Sequence, residues 1–385
     1  MKAVTYLYQG TIPDIRGNAP ALVAENFIRH FNFFTPATIC DAEHYPQGLE
    51  AHPEYGEIYR IGYGRLYRRL FKKLTRLDPY PLHQRAARLV NRLGPAVFHV
   101  HQLEFPLDEF RNQLYDHTLP IFSHIHVFQR FQESLGMPER FIAVSEYARK
   151  RSIAEFGYPA HKVEVLHNGV DTARFVPPEK AEQAFLHDIL GIPADATVLG
   201  YVGRKVSDKG YLGFLECALR SLKEHRHVYA VAVGMKPREF RDDPQRERIL
   251  QLERELAEDG RFRNFPAVPQ SRLPAFYKVI DVLLFPTYFG SETFGLVSVE
   301  AQAAGCIVIA SDYAALPEII RDGENGFLVA EPKNFAALHD KCDYVVTNLA
   351  KLGEVRHAAR SNAVQRFDWK LLAARLEKLY LEAVE

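Results

Sequence analysis

Short apolar runs alternate with amphipathic runs through the first half of the chain. The apolar runs are AVTYLY, ATIC, AVFHVH, PIFSHIHVF, RFIAVS and KVEVLHN. Several show no two-residue alternation of apolar and polar positions, which is typical of parallel strands buried on both faces. After the first run, NAPALVAENFIRHF predicts a helix with Asn18 as its N-cap and Pro20 in its first turn.

The same alternation starts again in the second half. TVLGYVGR, VYAVAVG, DVLLFP, CIVIAS and GFLVA predict strands, and YLGFLECALRSLKEH and GLVSVEAQAAG predict helices, the latter stopped by Gly305. The fold class is therefore α/β, with two Rossmann-like domains. The prolines of DTARFVPPEKAEQAF mark a linker, so we place the domains at 1–175 and 190–367. The pattern does not fix where the amphipathic helix over 368–385 packs; one arrangement returns it to the first domain.

Composition and charge limit the classes of protein to which the chain can belong. With 385 residues, 47% hydrophobic and 25% charged, the chain has the composition of a soluble globular protein with room for two domains. A formal net charge of zero gives no field that recruits nucleic acid. Four scattered cysteines without C-x-x-C spacing argue against a zinc knuckle or disulfide framework and favour a reducing, cytoplasmic location. The first apolar run is too short and polar for a signal peptide or a membrane span.

The first candidate site is the loop YVGRKVSDKG, between a predicted strand and a predicted helix. Gly203 and Gly210 let the backbone approach a phosphate, while Arg204 and Lys209 can neutralise a diphosphate. Neither the triphosphate P-loop nor the dinucleotide G-x-G-x-x-G pattern is present. Taken alone, such a loop is more often a solvated turn with ordinary surface charge.

The second candidate site is GSETFGLVSVEAQAAG, where two glutamates lie eight positions apart. The amides of Phe294, Gly295 and Leu296 fall at the start of the predicted helix, a natural site for an anion. Glu292 and Glu300 can accept hydrogen bonds from vicinal hydroxyls, so the two loops together suit a nucleotide-diphosphate sugar held beyond the carboxyl ends of the strands. The alternative is that Glu300 caps the helix start and Glu292 is a surface residue.

At these residues the sequence resembles the GT-B glycosyltransferases, specifically the retaining enzymes of glycosyltransferase family 4. The E-x7-E region of the family matches SETFGLVSVEAQAAGCIVIASD and continues as ALPEIIRDGENGFLV. VSEYARK, VEVLHNGVDTARF and YVGRKVSDKG follow the family's order, so the resemblance covers most of the chain and is strongest after about residue 140. It implies a GT-B fold, in which an acceptor domain and a donor domain face each other across a cleft.

The resemblance also implies roles for individual residues. Glu300 would bind the ribose hydroxyls and Glu292 the donor sugar, while the amides at the helix start would meet sugar hydroxyls and phosphate. Arg204 and Lys209 would hold the diphosphate and stabilise its charge as the sugar bond breaks. The backbone near Ala267 would border the base.

In the first domain, the family's histidine falls best on His126, and His124 two positions earlier is the alternative. His99 and His101 end another predicted strand, where they could line the acceptor side or be structural. The family's N-terminal loop usually carries paired glycines, but PDIRGNAP has only Gly17 for contact with the donor.

For the reaction, the resemblance implies retention of anomeric configuration and an α-linked product. No D-x-D motif is present, so we expect a site without metal or other cofactor. The expected donor is a UDP- or GDP-hexose, and the expected acceptor is a glycan or lipid-linked glycan of cell-surface polysaccharide, lipopolysaccharide or glycolipid assembly. Ala314 and Ala315 replace the family's common paired glycines, which alters the sugar pocket. The alternatives are a GT-B nucleotide-sugar epimerase and a non-catalytic sugar-nucleotide-binding protein.

A basic stripe lies between residues 60 and 92. Apolar residues at 63, 66, 67, 70, 74 and 77 form a helical stripe with cations opposite. The pattern predicts a segment that docks on an anionic, cytoplasmic membrane face. The alternatives are a core-facing helix with a solvated basic face, and a site for an anionic acceptor. The cations, opposed only by Asp78, are Arg60, Arg65, Arg68, Arg69, Lys72, Lys73, Arg76, Arg85, Arg88 and Arg92.

Overall fold

A computed structural model describes residues 1–7, 10–13, 18–42, 45–62, 65–76, 81–101, 105–290, 292–331 and 333–385, without the side chains of Arg65 and Arg68. The chain divides into two compact units. The first comprises residues 1–168 and 369–385, and the second comprises residues 169–368.

The first unit is built on an eight-stranded sheet in the order β3-β4-β2-β1-β5-β6-β7-β8. Its neighbouring strands are parallel except for the antiparallel pair β3 and β4. The strands are β1 (Lys2–Leu7), β2 (Thr35–Asp41), β3 (Gly48–His52), β4 (Gly56–Ile61), β5 (Val97–Val100), β6 (Ile121–Ile125), β7 (Arg140–Ala143) and β8 (Val163–Val165). Six were predicted as apolar runs, whereas β3 and β4 were not.

The helices of the first unit connect these strands. Asn18 occupies the N-cap of the first helix, as predicted, but its side chain makes no capping hydrogen bond; Pro20 lies in the first turn. A later helix is capped by the Ser145 hydroxyl, which accepts from the Ala148 amide at 2.9 Å, and ends at Gly157 in the left-handed conformation. The helices are α1 (Ala19–Arg29), α2 (Arg65–Thr75), α3 (Leu82–Leu93), α4 (Leu107–Arg111) and α5 (Glu146–Phe156).

The second unit has a six-stranded, all-parallel sheet in the order β11-β10-β9-β12-β13-β14. Five strands match predicted runs, and β11 was not predicted. The strands are β9 (Thr197–Val202), β10 (Val228–Val233), β11 (Phe262–Phe265), β12 (Val282–Phe285), β13 (Ile307–Ser311) and β14 (Phe327–Val329). The helices are α6 (Lys180–Ile189), α7 (Tyr211–Glu224), α8 (Arg246–Asp259), α9 (Leu273–Val279), α10 (Leu296–Ala303), α11 (Leu316–Ile319), α12 (Phe335–Asn348) and α13 (Gly353–Arg366).

The last helix, α14 (Trp369–Val384), belongs to the first unit. Trp369 packs edge-on against Phe27 of α1, with ring centroids 5.1 Å apart. The buried Glu377 carboxylate accepts hydrogen bonds from three successive amides, Asn32 to Phe34, at 2.8–3.0 Å. Because these amides immediately precede β2, the carboxylate fixes α14 against the start of that strand.

Within the described residues, no helix combines the length and the apolar character needed to span a bilayer.

Candidate active site

Two loops at the carboxyl edge of the second sheet pack against each other. The loop after β9 runs from Gly203 to Gly210, and Gly210 has a left-handed φ of +83° where α7 begins. A Cβ on Gly210 would lie 2.5 Å from the carbonyl oxygen of Pro286, in the loop after β12. Only glycine permits this approach, because such a contact is far inside van der Waals distance. The close approach places Lys209 beside the loop that carries Glu292.

Lys209 and Glu292 form an ion pair in this junction. The Lys209 ammonium lies 2.7 Å from a Glu292 carboxylate oxygen, and the two side chains are only 15% and 13% exposed. The Phe289 ring lies beneath the same ammonium, at 4.2 Å from its centroid. The Arg204 guanidinium also faces this ring at 5.6 Å and pairs with Glu239 at 2.7 Å. The two cations predicted to hold a diphosphate therefore lie over one aromatic ring.

The start of α10 lies at the end of the same loop. Gly295 is its N-cap, with φ +101°, and a Cβ there would lie 2.7 Å from a methyl group of Leu316. Phe294 is buried against Phe367, with centroids 5.7 Å apart, and this anchors the turn. The Gly295 carbonyl accepts from the Ser298 amide at 2.9 Å, while the amides of the first turn, beginning at Leu296, carry the positive end of the helix dipole.

Glu300 is the fifth residue of α10 and is almost fully buried. One carboxylate oxygen accepts from the Tyr277 hydroxyl at 2.8 Å, and the other accepts from the Gln270 amide at 3.1 Å. Burial raises the pKa of Glu300 to about 7, although both hydrogen bonds and nearby Arg174 oppose the rise. The carboxyl group does not cap the helix start, so the capping alternative is wrong.

The four candidate histidines of the sequence analysis lie together in the first unit. His99 is in β5 and His124 is in β6, while His101 and His126 follow the ends of these strands. His101 Nδ1 lies 3.1 Å from His126 Nε2, and the His99 ring contacts the Tyr380 hydroxyl at 2.5 Å. His99, His101 and His124 are buried and His126 is mostly buried. Burial lowers the pKa of His126 to about 3, so the imidazole is neutral at pH 7.

The structure describes four of the remaining predicted positions, namely Gly203, Ala267, Ala314 and Ala315. Ala267 is exposed in the loop after β11. Gly17 lies outside the described residues. Ala314 adopts a left-handed φ of +55°, the conformation for which glycine is usually selected, and Ala315 is buried. The Gly203 amide donates to the Val233 carbonyl at 3.0 Å, which ties its loop to the end of β10.

The sequence did not single out several residues that hold the site together. Tyr277 and Gln270 orient Glu300, and Phe289 lies beneath both cations. The buried Tyr201 hydroxyl donates to the Arg204 carbonyl at 2.6 Å and thereby shapes the first loop. Only Phe289 had a sequence signal, namely its position three residues before Glu292 in the motif region.

Family models match both units of the chain. The model described as glycosyl transferases group 1 matches residues 182–366, and the model described as glycosyltransferase family 4 matches residues 38–174.

Individual relatives agree with these matches. The chain is 27% identical to a lipopolysaccharide 1,2-N-acetylglucosaminetransferase of Salmonella typhimurium, over 85% of this chain and 86% of the relative. It is 30% identical to a D-inositol 3-phosphate glycosyltransferase of Catenulispora acidiphila, over 64% of this chain but only 57% of the relative. In fold, it is similar to HepE of Anabaena solved in complex with UDP, with a TM-score of 0.77, 17% identity, and 99% and 100% of the two chains covered.

Proposed function

Because the chain belongs to the group 1 glycosyltransferases and has the GT-B fold, we propose that it transfers a hexose-type sugar from a UDP- or GDP-sugar to a glycan or lipid-linked acceptor. The transfer retains the anomeric configuration and gives an α-linkage. The acceptor belongs to the assembly of cell-surface polysaccharide, lipopolysaccharide or glycolipid. The lipopolysaccharide transferase of Salmonella typhimurium, similar along 85% of this chain, supports this acceptor class.

The observation that carries the proposal is the junction of the two loops with the start of α10. It brings together two cations, Arg204 and Lys209, a carboxylate, Glu292, and the amides of a helix N-terminus. These groups match a diphosphate joined to a hydroxyl-rich ring, since amides and cations bind phosphate and a carboxylate accepts from hydroxyls. Glu300, held by Tyr277 and Gln270, supplies a separate acceptor for ribose hydroxyls.

The Lys209–Glu292 pair gives the site a way to respond to its donor. When the diphosphate arrives, Lys209 gains a dianionic partner and Glu292 gains sugar hydroxyls, so each exchanges one charge-assisted contact for another. The exchange keeps both charged groups hydrogen-bonded throughout, and so limits the cost of a poorly solvated charge.

In the transfer step, the bond between the anomeric carbon and the phosphate oxygen breaks while the acceptor oxygen attacks the same face. The departing phosphate oxygen takes the acceptor proton, so no side-chain general base is needed. Lys209 and Arg204 stabilise the growing diphosphate charge in place of a metal ion. Neutral His126 orients the sugar by hydrogen bonding, a role that suits an imidazole whose pKa burial lowers to about 3.

A nucleotide-sugar panel tests the proposed activity. We expect one UDP- or GDP-hexose to raise the melting temperature specifically, since a ligand that binds the native state stabilises it. With that donor, nucleotide release should require a glycan or lipid-linked acceptor, and the product should show an α-anomeric proton by NMR. The same rate is expected in a chelator as in magnesium.

Other outcomes would contradict separate parts of the proposal. Acceptor-independent release of nucleotide with an altered free sugar would instead establish an epimerase, and donor binding without turnover would establish a binding protein. A β-linked product would contradict retention from an α-linked donor. Activity lost in chelator and restored by magnesium would contradict a metal-independent diphosphate site.

Helix α2 supports an additional proposal, that the chain docks on an anionic membrane surface. Leu66 and Leu74 are 71% and 82% exposed, and Tyr67 and Leu70 on the same side are half exposed. The core-facing alternative is therefore wrong for α2, whereas α3 does bury an apolar side against the core. An exposed apolar stripe flanked by cations is the arrangement that partitions into an anionic lipid interface. The exposed cations are Arg69, Lys72, Lys73 and Arg76.

Liposome co-sedimentation tests this docking. We expect binding to anionic vesicles and little to neutral ones, and the double variant K72E/K73E should weaken binding more than about 10-fold, since each cation contributes about 1 kcal/mol near an anionic leaflet. L70D/L74D should weaken it further by removing the apolar contact. Leu49→Asp, at an exposed leucine of β3, is the matched control and should bind normally. Equal binding to neutral vesicles, or none to either, would contradict docking.

A further inference from the structure

A compact array on one face of the sheet of the first unit contains four histidines, His99, His101, His124 and His126. Alternate residues of a strand share a face, and β5 and β6 are neighbours, so His99 and His101 lie beside His124 and His126. Adjacent ring centroids are 4.4–5.3 Å apart. One nitrogen each from His99, His101 and His124 can be chosen so that all three lie within 4.8 Å of one another.

The array contains buried nitrogen atoms without partners. His124 has no exposed surface, and neither of its ring nitrogens meets a hydrogen-bond partner among the described residues. The same holds for Nε2 of His99, whose other nitrogen faces Tyr380. A buried imidazole that makes no hydrogen bond costs free energy, because it gives up its bonds to water. A bound ion or molecule that contacts these nitrogens would remove this cost.

The ligand atoms of the array restrict the identity of that ion or molecule. The group offers imidazole nitrogens alone, one from each of the three histidines. An imidazole nitrogen that carries no hydrogen has a lone pair for a metal ion. Neutral imidazole is the ligand preferred by zinc and similar borderline divalent ions, and magnesium and calcium prefer oxygen.

We propose that His99, His101 and His124 bind one transition-metal ion, with zinc as the reference ion, at the carboxyl ends of β5 and β6. His126 stands next to the ligands, 3.1 Å from His101, but is not one of them, and a water molecule completes the coordination. The ion joins two neighbouring strands, and through Tyr380 it is linked to α14. Its role is structural, and all of its ligands belong to the first unit.

Tyr380 acts in this site as a positioning residue. If His99 donates its Nδ1 hydrogen to the Tyr380 hydroxyl oxygen at 2.5 Å, the lone pair on Nε2 is free for the metal. Partners of this kind, behind a ligating histidine, fix its tautomer and ring orientation. The ligand nitrogens lie within 4.8 Å of one another. Zinc–nitrogen bonds of about 2.0–2.1 Å place the nitrogens of a tetrahedral site roughly 3.4 Å apart, so the nitrogens must move closer together when the metal binds. Rotation about χ2, which is a soft torsion in histidine, provides this movement.

Metal binding by the full chain, with any affinity tag removed, tests the proposal directly. After dialysis against chelator, we expect zinc to bind with a stoichiometry of about one per chain. Cobalt at the same stoichiometry should give the visible absorption of a nitrogen-ligated site with low coordination number.

Three variants separate this site from other zinc-binding groups. His124→Gln should weaken zinc binding more than about 100-fold, and Tyr380→Phe, which keeps the ring packing, should weaken it roughly 10-fold. His225→Gln alters the second metal-competent group, formed by Glu224, His225 and Asp343; it is the matched control and should leave zinc affinity unchanged. Circular dichroism confirms that each variant is folded.

The proposal is overturned if wild-type protein binds no zinc or cobalt, and this result does not depend on whether any variant folds. It is also overturned if His225→Gln abolishes binding and His124→Gln does not. None of these measurements uses a donor or an acceptor, so they are independent of the proposed sugar transfer.

Discussion

Replacing Lys209 by alanine is expected to lower kcat by roughly 10²- to 10³-fold, or about 2.7–4 kcal/mol of transition-state stabilisation, with a much smaller change in the donor KM. The reason is that negative charge on the diphosphate grows as its bond to the sugar breaks, so a cation fixed beside it contributes more in the transition state than in the ground state. Lys209 is fixed in this way by Glu292 at 2.7 Å and by the ring of Phe289 at 4.2 Å. Steady-state kinetics with saturating acceptor measures both constants.

A double-mutant cycle shows whether Lys209 acts through its pair with Glu292. Loss of Lys209 leaves a mostly buried carboxylate next to the incoming diphosphate, so part of the defect is repulsion. The double variant K209A/E292Q should therefore be less impaired than the two single effects combined. Lys351→Ala, at an exposed position of the same unit, is the control and should react normally. A Lys209→Ala enzyme with kcat within about threefold of wild type would remove this residue from the mechanism.

Much of the fold could be predicted because parallel strands covered on both faces are continuous apolar runs. VYAVAV and IVIAS, which became β10 and β13, are of this kind. The strands that were not predicted are β3, β4 and β11. They lie at an edge of their sheet or next to it, where strands are less completely buried. GLEAH in β3 and FRNF in β11 are both edge strands, and neither forms an apolar run. Their pairing depends on the neighbouring strand, which no local pattern reveals.

The candidate site likewise contains some residues that the sequence identified and others that it did not. Glu292, Glu300 and Lys209 could be picked out because they belong to motifs whose order and spacing are specific. The residues that set their environment could not be identified, because they come from elements distant in the sequence. Tyr277 belongs to α9, where the sequence shows an ordinary helical side chain, and only packing against α10 makes it a partner of Glu300.

The basic stripe shows a limit of amphipathic patterns. Both α2 and α3 present apolar residues opposite cations, and the pattern alone treats them as one feature. The structure separates them, because α3 buries Ala86 and Val90 while α2 leaves Leu66 and Leu74 exposed. A helical stripe identifies a face that avoids water, but whether the chain itself covers that face is decided by tertiary packing.

Glu300→Gln is expected to weaken nucleotide binding by about 10- to 100-fold, because hydrogen bonds to a charged group contribute about 1.5–3 kcal/mol and the amide has no charge. Burial raises the pKa of Glu300 from an ordinary 4.5 to about 7. In the wild type, nucleotide affinity should therefore fall as pH drops below about 7, because a protonated carboxyl accepts fewer hydrogen bonds from ribose. The variant should lose the part of this dependence that comes from Glu300 and keep only the part that comes from the terminal phosphate, whose second pKa is about 6. Titration calorimetry with UDP and GDP from pH 5.5 to 8.5 measures both effects.

The raised pKa of Glu300 also predicts how stability depends on pH, and this dependence has the opposite sign to that of nucleotide affinity. Because its pKa is higher in the native state, the native protein holds a proton that the unfolded chain releases between pH 4.5 and 7. The free energy of unfolding thus falls as pH rises through this window. Glu300→Gln should abolish that fall and stabilise the protein at pH 8 by on the order of 3 kcal/mol, while Glu354→Gln, at an exposed position, should change neither property. A variant that binds nucleotide as tightly as the wild type would show that Glu300 is not the ribose acceptor, and a variant that is destabilised at pH 8 would contradict the stability prediction.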